Sequence, residues 1–168
     1  MASHSVKPHR YLITPLLHDD IADAYAIFEQ THDNPWSLAS FQESVATSHC
    51  LIAKTRGIND ISIKGIMLFQ ITFDQADVLF IGVVQNNRRS GIATQLIQAA
   101  IHTLQEHGVA SVFLEVDKSN SAASAFYENI GFQCINIRKN YYQKSNGSQS
   151  DALIMRRGIS PANTDDND

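Results

Sequence analysis

The stretch Asn86–Ile97, NNRRSGIATQLI, follows directly on an apolar run, VLFIGVV, at Val78–Val84. A strand here hands over to a helix through a turn of small residues and positive charge. From Ile92 the apolar positions Leu96, Ile97, Ala100, Ile101 and Leu104 recur at helical spacing, and His107-Gly108 supplies the stop. Such a handover leaves the first backbone N–H groups of the helix without partners. Together with the helix dipole they suit a phosphate or pyrophosphate. Gly91 and Ala93 keep side chains away from the backbone, and Arg88 and Arg89 add charge. Neither GxxxxGK[ST] nor GxGxxG is present, so the nucleotide P-loop and the dinucleotide fingerprint are excluded.

Outward from this turn the pattern alternates. Tyr11–Leu17 reads as a first strand, and Ile21, Ala24, Tyr25 and Phe28 fall at helical intervals behind Asp19 and Asp20. Ser37 is placed to cap a second helix carrying Phe41 and Val45. CLIAKT and GIMLFQITF are strand-like and flank the turn-rich RGIND. Beyond the central helix come SVFLEV, a strand; SNSAASAFYENIGF, a capped helix with a glycine stop; and strand candidates at Cys134–Arg138 and Ala152–Arg156. Antiparallel-type strands followed by two strand–helix–strand units predict an α/β domain with a mixed central sheet flanked by helices.

The 168 residues fit one domain, expected over 1–158, with an acidic tail at 159–168 expected to be disordered. With 43% hydrophobic and 18% charged residues the chain can bury a core. A net charge of -4 argues against a nucleic-acid or anionic-membrane binder. Cys50 and Cys134 lie in apolar runs and read as small buried hydrophobes rather than as metal or redox groups, so no metal is expected. MASHSVKPHR carries no apolar run of signal-peptide length, and no window reaches membrane-span length; the expected location is the cytoplasm.

Glu115 stands in the middle of SVFLEV, where a carboxylate is disfavoured by strand propensity and costly if buried. An apolar residue would serve a plain core strand better, so a functional role is the better reading. Tyr127 on its short helix reads either as a core aromatic or as a reactive phenol. Tyr141, Tyr142 and Trp36 read either as packing or as the lining of a substrate slot beside the turn-rich KSNGSQSD.

Arg88-Arg89-Ser90-Gly91-Ile92-Ala93 resembles the R/Q-x-x-G-x-G/A signature of the GNAT acyltransferases. LEV at Leu114–Val116, Ser119-Asn120, A-x-Y-E-x-x-G-F at Ala125–Phe132, RKNYY at Arg138–Tyr142 and DALIM at Asp151–Met155 follow in that family's order. With Pro35-Trp36-Ser37 upstream, the set is similar to the bacterial ribosomal-protein-alanine N-acetyltransferases. The resemblance covers roughly residues 21–155.

It implies a GNAT fold and acetyl-coenzyme A as cosubstrate, bound by the backbone of Ile81, Gly82 and Val83, by the turn Arg89, Ser90, Gly91, Ile92, Ala93 and Thr94, and by Asn120. Asn120 reads equally as a helix N-cap. Glu115 takes the place of the family's general base and Tyr127 that of its general acid toward the departing thiolate. The implied partner is the N-terminal tail of a ribosomal protein or similar peptide, with the chain expected to be monomeric. Two positions depart from the subfamily: Asp117 stands where arginine is usual, and Phe80 where asparagine is usual. An acceptor of small-molecule type and a non-catalytic coenzyme A-binding module are the competing readings. Retained PWS and RKNYY speak against the former, and retained Glu115 and Tyr127 against the latter.

Overall fold

A computed structural model of the chain describes residues 11–55, 62–144 and 146–161. RGIND, the N-terminal decapeptide and most of the acidic tail lie outside the described residues. The elements run β1 (Tyr11–Pro15), α1 (Ile21–Thr31), α2 (Leu38–Thr47), β2 (His49–Thr55), β3 (Ile63–Thr72) and β4 (Gln75–Val83). They continue with α3 (Ile92–Glu106), β5 (Ser111–Asp117), α4 (Ser121–Asn129), β6 (Gln133–Gln143) and β7 (Gln149–Gly158). Local chemistry explains the helix ends. The Ser37 hydroxyl accepts the Ser40 amide at 3.2 Å, a cap that contributes about 1 kcal/mol. At the far end of α3, Gly108 takes a left-handed φ of +67° and ends the helix.

The seven strands form one mixed sheet in the order β1-β2-β3-β4-β5-β7-β6. β1 to β4 are antiparallel neighbours, β4 and β5 pair in parallel, and β7 is antiparallel to both β5 and β6. The second strand–helix–strand unit, β5–α4–β6, therefore skips a place in the sheet, which β7 fills. Both terminal strands are longer than the sequence pattern marks, at 11 and 10 residues.

One irregularity shapes the site. Leu68 pairs with Phe80 and Phe69 with Val78, so Leu79 bulges from β4. β4 then meets β5 only at Gln75–Asp77 against Ser111–Phe113. Past that point the two strands part, and a gap opens between the end of β4 and the end of β5.

The sheet buries a cluster on each face. Under α3 and α4 lie Leu51, Met67, Leu96, Leu104, Leu114 and Met155. Under α1 and α2 lie Phe28, Phe41, Ile52, Ile66, Leu68 and Phe80. Cover on both faces explains why β2 and β3 read as continuous apolar runs. Cys50 belongs to the second cluster, and burial pushes its thiol up to about 12. Cys134 corrects the sequence reading: it is exposed. It lies on β6, an edge strand exposed along its length except at Tyr142, so an apolar run there does not signal burial. Packing also continues past position 158. Ile159 is buried, its amide donates to the Ala110 carbonyl at 2.9 Å, and Gln105 holds the Ser160 carbonyl. Among the described residues no helix is long and apolar enough to cross a membrane.

Candidate active site

The site is built around the gap between β4 and β5. Ile81, Gly82 and Val83 form the β4 side of it, paired with β3 on one edge only. Packing requires a glycine at position 82. A Cβ there would collide with the Thr31 hydroxyl and come within 2.6 Å of the Phe80 ring, so the glycine lets α1 pack close on β4.

Beyond β4 the turn winds back on itself. Arg88 Nε donates to the Val83 carbonyl at 3.3 Å, and the Ser90 hydroxyl donates to the Asn87 carbonyl. Arg89 adopts a positive φ of 59° with an exposed side chain, followed by Gly91 at +85°. Gly91 is the N-cap of α3, and no side chain caps that helix. The first intrahelical bond runs from Gln95 to Gly91, leaving the amides of Ile92, Ala93 and Thr94 to the mouth of the gap. The nearest atom to a Cβ built on Gly91 is Gln95 Nε2 at 3.8 Å, so the space over the turn is open. An open cradle of unpaired donors, an exposed arginine and no acidic residue in the first turn fit a pyrophosphate.

Across the gap, β5 alternates from Val112 onward. Val112, Leu114 and Val116 enter the core, which turns Phe113, Glu115 and Asp117 to the opposite face. The Glu115 side chain, 31% exposed, accepts a hydrogen bond from Arg138 Nη1 at 2.5 Å. The Arg138 guanidinium also lies 5.4 Å from the Tyr141 ring centre. The Glu115 carboxylate raises the Tyr141 hydroxyl pKa, and Arg138 works in the opposite direction. Tyr141 and Tyr142 meet edge to face at 5.2 Å.

Tyr127, on α4, is buried against Phe126 and Phe132. Burial first, then the neighbouring Tyr142, pushes its phenol up to about 12. Tyr142 is raised to about 12 by burial and then by Glu115. Tyr142 is thus the electrostatic neighbour of both Glu115 and Tyr127, which lie on opposite faces of β5.

Asn120 caps α4, its Oδ1 accepting the Ala123 amide at 3.1 Å, so a cofactor contact would go through its Nδ2. Trp36 packs within the α1–α2 region. Its ring contacts are with Phe28 at 5.1 Å and His32 at 6.1 Å, within the α1–α2 cluster. Phe80, at the departing asparagine position, packs edge-on against Phe28. Asp117 faces burial that opposes its charge, yet hydrogen bonds from Lys144 and Ser119 hold its carboxyl well below the usual range.

Two neighbours of Glu115 escaped the sequence reading. Arg138 was visible only as part of a motif. Asp77, opposite Phe113 in the parallel register, has its carboxyl raised by burial and then by Glu115. Only the sheet register brings Asp77 near. A cavity of about 300 Å³ lined by Pro15, Val45, His49, Phe69 and Thr103 lies at the start of β2, away from this chemistry. Among the described residues no three His, Cys, Asp or Glu side chains gather as a metal ion would need.

Residues 16–132 match the sequence profile of the acetyltransferase (GNAT) family. The chain is 33% identical to the [ribosomal protein bS18]-alanine N-acetyltransferase of Escherichia coli strain K12, over 88% of this chain and 97% of that one. The Haemophilus influenzae enzyme of the same description is 32% identical over 81% and 90%. The crystal structure of the ribosomal-protein-S18-alanine N-acetyltransferase from E. coli superposes with a TM-score of 0.81 at 31% identity, covering 94% and 99%. Arabidopsis thaliana NAA60 in complex with acetyl-CoA shares the fold, with a TM-score of 0.78 at 20% identity. The chain belongs to the acetyltransferase (GNAT) family. Its activity is that of an acetyl-CoA-dependent N-acetyltransferase.

Proposed function

We propose that the chain acetylates the α-amino group of a protein that begins with alanine, its acceptor being the N-terminal tail of ribosomal protein bS18 in the cytoplasm. The observation that carries this reading is the similarity to bS18-alanine enzymes along nearly their whole length.

Acetyl-coenzyme A supplies the thioester carbonyl carbon. The amides of Ile92, Ala93 and Thr94 with Arg89 bind its pyrophosphate, and the open edge of Ile81–Val83 aligns its pantetheine arm as an added strand. Asn120 contributes Nδ2 at the head of α4. The acceptor amine enters past Tyr141 and Tyr142, with Trp36 of the α1–α2 connection as a further candidate for the slot wall. Glu115 accepts the proton that the α-ammonium loses, and the freed nitrogen forms the new C–N bond as the C–S bond breaks. That nitrogen then releases its second proton to solvent to become the amide. An α-amino group with a pKa near 7.7–8.0 is easier to deprotonate than a lysine near 10.4, by about 3.5 kcal/mol. One carboxylate base is matched to the former.

Tyr127 donates a hydrogen bond to the leaving sulfur. With its phenol at about 12 against about 8.5 for a thiol, full proton transfer is uphill by about 5 kcal/mol. Tyr127 therefore keeps its proton, and the thiolate is protonated from solvent.

The test is a mass-spectrometric assay with acetyl-coenzyme A and two peptides. One has the bS18 N-terminal sequence with a free alanine; the other has a blocked N-terminus and an internal lysine. A gain of one acetyl group on the first alone is expected. Acetylation of the lysine peptide, or of neither, contradicts the reading.

A further inference from the structure

Asp117 ends β5 two residues beyond Glu115 and on the same face. Its Oδ1 accepts both the amide and the hydroxyl of Ser119, each at 2.8 Å. Its Oδ2 accepts from Lys144 Nζ, which also donates to the Ser119 hydroxyl at 2.8 Å. Lys144 sits at the base of the β6–β7 turn, where its amide bonds the Ser148 carbonyl at 2.8 Å. The pair therefore joins the end of β5, the β5–α4 turn and the tip of the hairpin. An isolated exposed ion pair contributes little. This one is 17% exposed on the Asp117 side and belongs to a closed network of hydrogen bonds.

The other end of the same segment is pinned as well. Asp151, on β7, takes Lys139 Nζ at 2.9 Å and the Asn140 amide at 3.1 Å. That second bond spans an irregularity in β6, where Asn140 has a φ of 54° and the register slips between Arg138 and Tyr142. Between the two anchors, Lys139–Asn140 and Lys144, lie Tyr141 and Tyr142. β6 is a bulged edge strand, exposed along its length except at Tyr142.

We propose that the Asp117–Lys144 pair is a latch that fixes the β6–β7 hairpin and holds Tyr141 and Tyr142 beside Glu115. Asp117 is then a positioning residue for the acceptor, and this consequence rests on the reading of the slot given above. The positive charge beside Asp117 is supplied by Lys144, as part of the hairpin itself.

Amide hydrogen exchange over residues 141–149 and acceptor kinetics test the latch together, in the full chain and in Asp117→Asn, Lys144→Met and the double variant. Each single change is expected to speed exchange in that segment about tenfold and to raise KM for the alanine peptide similarly, with kcat and KM for acetyl-coenzyme A within about twofold. The double variant is expected to be no worse than either single one, because both remove the same interaction. Unchanged exchange in Lys144→Met, which alters only a turn side chain, overturns the latch; so do single effects that multiply in the double variant. If the unaltered chain leaves the peptide unmodified, the acceptor reading fails while the exchange cycle still decides the latch.

Discussion

The aromatic side chains under α1 and α2 and those gathered at the end of β5 differ in what surrounds them. In the first region Phe28, fully buried, packs against Phe41, Trp36, Phe80 and His32 with ring centres 4.8–5.1 Å apart. Its one tyrosine, Tyr25, spends its hydroxyl on the Trp36 carbonyl at 3.0 Å. In the second region Tyr141 and Tyr142 stand among Glu115, Arg138 and Asp117, their hydroxyls raised by the glutamate and by burial, while Tyr127 is raised by burial and by Tyr142. Ring packing closes the first region and holds α1 on the sheet. An exposed edge strand and charged side chains leave the second open.

If that division is right, removing Phe28 breaks the fold and leaves the chemistry intact. Phe28→Ala should cost about 3–5 kcal/mol of stability, read from denaturant unfolding. The fraction that remains folded should keep its kcat; a variant of normal stability and impaired kcat would reverse the comparison. On the open side, Gly91→Val should act the opposite way. A β-branched residue at φ +85° is strained by about 1–3 kcal/mol and covers the amides of the turn. Acetyl-coenzyme A affinity measured by calorimetry should fall by about tenfold or more. Unchanged affinity contradicts the pyrophosphate turn.

A smaller effect sharpens the contrast through pH. Tyr127 and Tyr142 hold their protons in the folded chain to about 12, above the ordinary 10.0. The folded state therefore favours the protonated phenols. Their contribution to stability is complete below about pH 10 and is lost as pH rises through about 12. Tyr127→Phe should flatten this alkaline fall; a slope equal to that of the unaltered chain contradicts the assigned environment.

Much of this was legible in the chain itself. The α3 stripe from Ile92 to Leu104, the Ser37 and Asn120 caps and the turn at Gly91 are local features, and local periodicity and capping chemistry reveal them. What escaped was non-local. No pattern within Gln149–Gly158 announces that β7 inserts between β5 and β6, and no residue type marks Leu79 as a bulge. Cys134 and its neighbours look like core because the alternation in CINIR is that of a half-buried strand. β6 lies at the sheet edge, and Ile135 stays 53% exposed. At the site, Glu115 was conspicuous as a carboxylate in an apolar strand. Its partner Arg138 was not, since an arginine on an edge strand is unremarkable until the register carries it across β7.

The most direct test of the central claim is the turnover of Glu115→Gln on the alanine-starting peptide, with acetyl-coenzyme A binding measured in the same preparation. Loss of about 10²-fold or more in kcat with cofactor affinity preserved is the predicted result. A rate near that of the unaltered chain would show that the amine loses its proton elsewhere, and would remove Glu115 from the mechanism.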